Sequence, residues 1–152
     1  MMQRTLNIDY PMNIVVYSLA VLNNGLDLNK FAALIGTRKK LVKNDIQRRV
    51  IREMECAELK NDILIPKFPC YSRIYNTLYN LLLNDTVDIS LKVDLDNGII
   101  PDMIILRKRA ITYLLHWGIA YVVRKTKDEV TLALNPVFRR KIEVLLELIN
   151  FI

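Results

Sequence analysis

The sequence of 152 residues predicts a mostly helical α+β fold with a winged-helix-like unit and a C-terminal helix. A helical pattern of apolar residues over 110–117 ends at Gly118, a typical C-terminal stop. Residues 119–123 and 130–134 are short strand-like runs, β-branched or alternating, on either side of a polar turn. Pro136 then opens an amphipathic helix. This order is that of a winged helix, although a generic α+β hairpin packed on a helix has the same local pattern.

The first third of the chain has the pattern of two short helices. Residues 1–10 hold only a brief alternation, typical of a short strand or arm. Pro11 suits the first turn of a helix over residues 12–22, which the turn residues ending in Gly25 close. Asp27 is a good N-cap for a second helix that stops at Gly36. The pair is typical of the opening of a helix-turn-helix, and equally of an ordinary helical hairpin.

Residues 37–62 are strongly basic, and we interpret most of them as one helix with a buried apolar stripe. A helix that exposes several Lys and Arg side chains follows a phosphate backbone without reading bases. No acidic residue lies within residues 38–43. The alternative is a solvated basic face whose later acidic residues form local ion pairs. The candidate nucleic-acid-binding residues of this segment are Arg38, Lys39, Lys40, Lys43, Arg48 and Arg49.

Residues 61–69 contain two prolines and are interpreted as a connector. We therefore expect an N-terminal helical region over residues 1–62 and a C-terminal winged-helix-like region over residues 63–152, packed as one compact unit. A helix is predicted over residues 70–84. Its tyrosines at four-residue spacing are expected to form one stripe, which is more typical of packing in the core or against a partner helix than of base stacking. The candidate partner-binding residues are Tyr71, Tyr75 and Tyr79.

Residues 86–95 alternate strictly between apolar and polar side chains, which predicts a half-buried strand. The following turn, ending in Gly98, favours a hairpin with residues 99–100, or a loop that presents the strand to another protein. Pro101 opens the long helix that reaches Trp117. At the proposed wing turn between the last two strands, three cations are expected to lie against backbone phosphates. They are Arg124, Lys125 and Lys127.

Composition limits the class of protein. The net charge is +6 and the isoelectric point is about 9.4, which favours a polyanionic partner. Hydrophobic residues make up 52% of the chain, so part of the apolar surface is expected to face a larger protein. No uncharged apolar run is long enough to span a membrane, and no cleavable signal is recognised. We expect a cytoplasmic protein.

Catalysis finds little support in the sequence. Cys56 and Cys70 lack zinc-site spacing and are expected to be buried free thiols. His116, the single histidine, is interpreted as a packed or capping residue. No nucleophile motif, glycine-rich phosphate loop or metal-ligand spacing occurs. We therefore expect a protein that is not an enzyme and has no cofactor.

Three segments carry a resemblance to a known family. They are YPMNIVVYSLAVL after a short extended lead, RVIREMECAEL before a proline-marked link, and RKRAITYLLHWGIAYVV before the wing. The layout resembles the small middle component of Lamassu-type defence systems, three-component ABC-ATPase systems directed against phages and plasmids. The resemblance implies a non-catalytic subunit that joins an SMC- or Rad50-like ATPase to a nuclease effector and helps hold or sense DNA. It assigns no functional residue individually.

The function expected from the sequence is therefore that of an accessory subunit with non-specific DNA contact. One alternative is a winged-helix transcription regulator that binds DNA as a two-fold dimer. A structural or phage-encoded interaction protein that needs no DNA is a second alternative.

Overall fold

The computed structural model describes residues 10–46, 56–92 and 101–152. Within these ranges the protein is a mostly helical α+β fold, as predicted, with two three-stranded antiparallel sheets. The helices are α1 (Met12–Leu22), α2 (Leu28–Ile35), α3 (Lys39–Ile46), α4 (Arg73–Asn84), α5 (Pro101–His116) and α6 (Pro136–Phe151). The strands are β1 (Leu26–Asp27), β2 (Ala57–Lys60), β3 (Ile63–Pro66), β4 (Thr86–Ser90), β5 (Ala120–Lys125) and β6 (Glu129–Leu134).

The chain divides into two compact units. Unit 1 falls within residues 1–71 and 140–152, and unit 2 comprises residues 72–139. The division expected at residues 62 and 63 passes through the β2–β3 hairpin, whose strands pair in register from Ala57 with Pro66 to Lys60 with Ile63. Pro66 therefore belongs to the hairpin, whereas Pro69 lies after it, between β3 and α4.

Unit 1 is built on α1, which is buried along all its sides from Ile14 to Val21. Such a helix is apolar throughout because it faces other elements in every direction. The buried hydroxyl of Ser18 donates to the Ile14 carbonyl at 2.7 Å. The sheet order is β1-β3-β2. Helix, strand, two helices and two strands in this order form a winged-helix-like unit, which the sequence analysis had not predicted for this half of the chain.

The predicted ends of the first two helices are confirmed. Asn23 follows α1, and Gly25 has a φ of 121°. The Asp27 side chain accepts a hydrogen bond from the Asn29 backbone N–H at 2.9 Å, so it caps α2. Gly36 ends α2 with a φ of 71°, a left-handed conformation that glycine adopts without steric cost. Strand β1 lies between α1 and α2, the pair that was predicted to open a helix-turn-helix, whereas only Gly36, Thr37 and Arg38 separate α2 from α3. The helix-turn-helix order therefore belongs to α2 and α3.

The basic segment does not remain helical to its end. Helix α3 is described as far as Ile46, and residues 47–55 lie outside the described ranges. Ala57–Lys60 is a strand, so Glu58 lies on a sheet and not on the helical surface predicted for it. The expectation of free thiols is wrong, because Cys56 and Cys70 form a disulfide that joins the two ends of the hairpin.

Unit 2 confirms the predicted winged-helix-like order. Ser72 caps α4, α5 ends before Gly118 at a φ of 68°, and β5 and β6 form the predicted hairpin. The sheet order is β4-β6-β5, which places β6 in the centre. Side chains from α4, α5, β6 and the start of α6 fill the core of this unit. They include Tyr75, Leu78, Leu114, Leu132 and Phe138, each at most 1% exposed.

Strand β4 confirms the first half of the predicted strand. It pairs with β6 from Thr86 with Ala133 to Ser90 with Glu129. The predicted turn at Gly98 lies outside the described residues. Asn135 joins the hairpin to α6, since its amide donates to the Gly118 carbonyl at 2.8 Å and its side-chain oxygen accepts from the Val137 N–H at 2.9 Å. No helix of the described ranges has the length and apolarity needed to cross a membrane.

Candidate nucleic-acid interface

The cations predicted to touch nucleic acid in unit 1 lie on or just before α3. Arg38 immediately precedes the helix, and Lys39, Lys40 and Lys43 lie on it; Lys39 and Lys40 are exposed and Lys43 is half-buried. Arg48 and Arg49 lie outside the described residues. Helix α3 is the second helix of the helix-turn-helix, the position from which such motifs contact DNA.

Two of these lysines are held by an acidic residue from a distant part of the sequence. Asp62 lies in the two-residue turn between β2 and β3. Its Oδ2 is 3.0 Å from Lys39 Nζ, and its Oδ1 is 2.9 Å from Lys43 Nζ. Lys39 and Lys43 are one helical turn apart, so they face the carboxylate together. The sequence predicted no counter-charge for residues 38–43. This prediction is wrong, because the fold brings Asp62 to two of these lysines. We call these three residues the Asp62 clamp.

The backbone fixes where the Asp62 carboxylate lies. Asn61 and Asp62 have φ values of 52° and 64°, the positive values that a two-residue hairpin turn requires. The Leu28 N–H at the start of α2 donates to the Asp62 carbonyl at 3.0 Å. Hydrogen bonds from Lys43 and then Lys39 lower the pKa of the Asp62 carboxyl below its ordinary value of 3.8. The clamp is therefore charged at neutral pH.

The predicted wing turn of unit 2 is basic, whereas the hairpin turn of unit 1 carries the acidic Asp62. Arg124, Lys125 and Lys127 are exposed, and Arg124 makes a long ion pair of 3.4 Å with Glu129. The turn is closed by hydrogen bonds between Thr126 and Glu129. Within the described part of the chain, Lys125 and Lys127 have no acidic side chain within 4.0 Å. The turn therefore presents two unneutralised ammonium groups on a defined backbone.

Helix α5 adds a basic surface that the sequence analysis missed. Its exposed face borders a shallow groove of about 510 Å³. The lining residues are Ile105, Lys108, Arg109, Thr112, Tyr113 and His116. Lys108 and Arg109 have no acidic partner among the described residues, whereas Arg107 donates to the Ser90 carbonyl at 2.7 Å and is held inside the unit. We call this surface the α5 face.

A helical pattern could have revealed the α5 face. Ala110, Ile111 and Leu114 are buried, so residues at 105, 108, 109, 112 and 116 fall on the opposite side of the helix.

His116 and Trp117 end the α5 face. His116 is exposed and lies edge-on to the Trp117 ring, with the ring centroids 5.5 Å apart. The Tyr113 ring lies 6.4 Å from that of Trp117. Partial burial raises the pKa of the Tyr113 hydroxyl, which therefore stays neutral at physiological pH. His116 was predicted to be a packed or capping residue. It packs against the Trp117 ring, on an exposed surface.

The tyrosines predicted to form one partner-binding stripe do not share a surface. Tyr71 precedes the N-cap of α4 and is 86% exposed. Tyr75 is 1% exposed and belongs to the core of unit 2. Tyr79 is half-buried. Tyr71 is therefore the one fully exposed ring of the three, and Tyr75 is not accessible to a partner in this structure.

Three further cations near the start of α6 are held within the chain. Arg139 donates to the Leu82 carbonyl at 2.7 Å, and Arg140 lies 3.7 Å from both Glu143 and Glu147. The Lys141 ammonium lies 5.1 Å from the centroid of the Tyr10 ring, within the range of a cation–π contact. These contacts account for their placement without an external anion.

Among the described residues, no three His, Cys, Asp or Glu side chains gather where they could hold a metal ion. Comparison of the chain with family models, curated proteins and solved structures gave no match. Function is therefore inferred from the cationic surfaces that the described helices and hairpin turn present.

Proposed function

We propose that the chain is a non-catalytic accessory subunit that contacts duplex DNA through its phosphate backbone. The observation that carries the proposal is in unit 2, where the α5 face and the basic turn present Lys108, Arg109, Lys125 and Lys127. None of the four has an acidic partner among the described residues. Exposed cations without counter-charge release condensed counterions when they meet phosphates, which favours binding without sequence readout.

The element order supports the same proposal. In each unit a helix precedes a two-stranded hairpin, and cations lie on that helix or at the hairpin turn. Helix-turn-helix proteins bind DNA through such a helix, and contacts to phosphates set the register of the protein on the duplex.

The partners are proposed from the resemblance of three segments to the Lamassu-type middle component. On this proposal the chain joins an SMC- or Rad50-like ATPase to a nuclease effector in antiviral defence. Exposed apolar side chains that a partner would cover support the assembly role. In unit 2 they include Trp117, Tyr121 and Val123, which are 37%, 48% and 57% exposed.

Purification of the native complex from its own cells tests this proposal. The expected result is an ATPase and a nuclease in stoichiometric amounts with the chain, bound without added DNA. Recovery of the chain alone as a monodisperse monomer would contradict the assembly role. It would leave the DNA contact to be tested on the isolated protein.

A second candidate is a sequence-specific transcription regulator. The short turn between α2 and α3, which contains Gly36 and Thr37, favours it because helix-turn-helix proteins join their two helices by a turn of this length and place the second helix in the major groove. Selection of bound duplexes from a random pool separates the two candidates. A palindromic site bound roughly a thousandfold more tightly than random DNA would establish the regulator.

A further inference from the structure

The Asp62 clamp has the composition of an oxyanion site. Two ammonium groups, one helical turn apart, each meet a different oxygen of one carboxylate, at 3.0 and 2.9 Å. The cluster therefore holds two positive charges against one negative charge. A backbone phosphate also presents two charged oxygens on one atom, so it satisfies the same pair of donors.

The clamp is accessible from solvent. The side chains of Lys39 and Lys43 are 44% and 40% exposed, and that of Asp62 is 24% exposed. The backbone of Asp62 is held by the hairpin turn and by the hydrogen bond that its main-chain carbonyl accepts from the Leu28 N–H, whereas the ammonium groups end flexible four-carbon stems. The lysines are therefore the movable partners, and they can turn from the carboxylate to an external anion without a change in the backbone.

We propose that Lys39 and Lys43 form a site for a backbone phosphate of duplex DNA, and that Asp62 occupies this site in the unbound protein. The inference rests on the proposed function only in its choice of DNA as the source of the phosphate. Asp62 thus competes with DNA for α3, and unit 1 contributes less to DNA binding than its sequence charge predicts.

The competition has a measurable size. A lysine that already neutralises a carboxylate gains less from a phosphate, since its charge is not free to displace counterions. Replacing Asp62 by Asn keeps the shape of the side chain and removes the charge. If both lysines then meet phosphates, the slope of log Kobs against log salt becomes steeper by up to about 1.8, or 0.9 for each contact.

A permanent structural role for the clamp makes a different prediction. In that case Asp62 holds the hairpin turn on α3, and Asp62→Asn lowers stability without changing DNA binding. The matched control is Glu58→Gln, which removes one negative charge from the same hairpin. Glu58 pairs at 3.6 Å with Lys60 and not with α3, so this variant changes the net charge without freeing the clamp lysines.

The test measures binding of a short mixed-sequence duplex by fluorescence anisotropy over a series of salt concentrations. The proteins are the wild type, Asp62→Asn, Glu58→Gln, and Asp62→Asn combined with Lys39→Gln and Lys43→Gln. We expect tighter binding and a steeper slope for Asp62→Asn alone. The slope should fall back to the wild-type value or become shallower than it when both lysines are neutralised, since duplex displaces Asp62 from them only in part in the wild type. Glu58→Gln should match the wild type.

An Asp62→Asn protein that folds and has the wild-type slope overturns the inference and leaves the proposed function standing. If the wild type does not bind and Asp62→Asn does, the inference stands and the proposed DNA contact of the unmodified protein fails. Absence of binding by both proteins overturns both.

A second measurement does not depend on the variant folding. The carboxyl ¹³C resonance of Asp62 in the wild-type protein should move when duplex is added, as the lysines leave the carboxylate. Binding of duplex without a change in this resonance overturns the inference. Inorganic phosphate at matched ionic strength is the second probe, and a response to phosphate but not to duplex refutes DNA as the ligand.

Discussion

Neutralising the cations of unit 2 should remove most of the salt dependence of DNA binding. The perturbation replaces Lys108, Arg109, Lys125 and Lys127 by Gln. All four side chains are exposed and have no acidic partner in the described ranges, so the fold should be retained. Glutamine is polar and adds no negative charge, so the loss reports contacts and not repulsion.

The magnitude follows from the number of contacts. If each of the four cations meets one phosphate, the slope of log Kobs against log salt should become shallower by about 3.6. Between about 50 and 200 mM salt these four contacts account for a loss of about 150-fold in affinity in the wild type. The quadruple variant should lose that part and bind weakly at both concentrations.

Fluorescence anisotropy with a mixed-sequence duplex measures the effect, and circular dichroism checks the fold. The matched control neutralises four other exposed cations, and each set lowers the net charge from +6 to +2. The control residues are Lys30, Lys60, Lys67 and Arg140. Equal slopes for the two quadruple variants would refute the reasoning, since the effect would then come from total charge and not from this surface.

Three further predictions concern stability and covalent structure. Gly118→Ala should destabilise the protein by about 1 kcal/mol in chemical denaturation, because the φ of 68° is costly for any residue with a Cβ, and Gly118→Asn should cost less. The depressed pKa of Asp62 stabilises the fold above about pH 4, and this contribution should disappear as the pH falls through the folded-state pKa. The free energy of unfolding should therefore differ less between the wild type and Asp62→Asn as the pH falls from 6 to 3. A difference that stays constant over this range would contradict a stabilising role for the ion pairs of Asp62. Because Cys56 and Cys70 form a disulfide, iodoacetamide should label neither residue in unfolded protein that has not been reduced. Labelling of both would show that they are free thiols, as the sequence predicted.

Elements whose signals are local were predicted well from the sequence. The ends of α1 and α2 follow from Pro11, Gly25, Asp27 and Gly36, and each signal lies within a few residues of the end that it marks. The β5–β6 hairpin was equally clear, because its strands are neighbours in sequence and their β-branched residues flank a short polar turn.

Features that depend on distant pairing were not predicted. The hairpin of unit 1 was missed because Ala57–Lys60 continues a helix-like charged segment, and Ile63–Pro66 ends at a proline that reads as a connector. The Lys39–Asp62 contact spans 23 residues, so nothing in the local pattern shows that a turn neutralises α3. Tyr75 and Tyr71 differ in burial because only the former lies on the inner face of α4.

The candidate site was predicted in part. The basic turn of unit 2 was identified from charge and turn residues alone. The α5 face required knowledge of which side of the helix is buried, and the sequence pattern contained it in Ala110, Ile111 and Leu114. The expectation that the cations of α3 are free to meet phosphates was too simple. Two of them have an acidic partner that only the folded chain brings to them.

The central claim is that this chain binds duplex DNA through phosphates without reading its sequence. The most direct measurement compares the affinity of the purified protein for several unrelated duplexes over a salt series. We expect affinities within a few-fold of one another and a slope of log Kobs against log salt of about −3 to −4, from the four cations of unit 2. Absence of binding at low salt, or one duplex bound roughly a thousandfold more tightly than the rest, would contradict it.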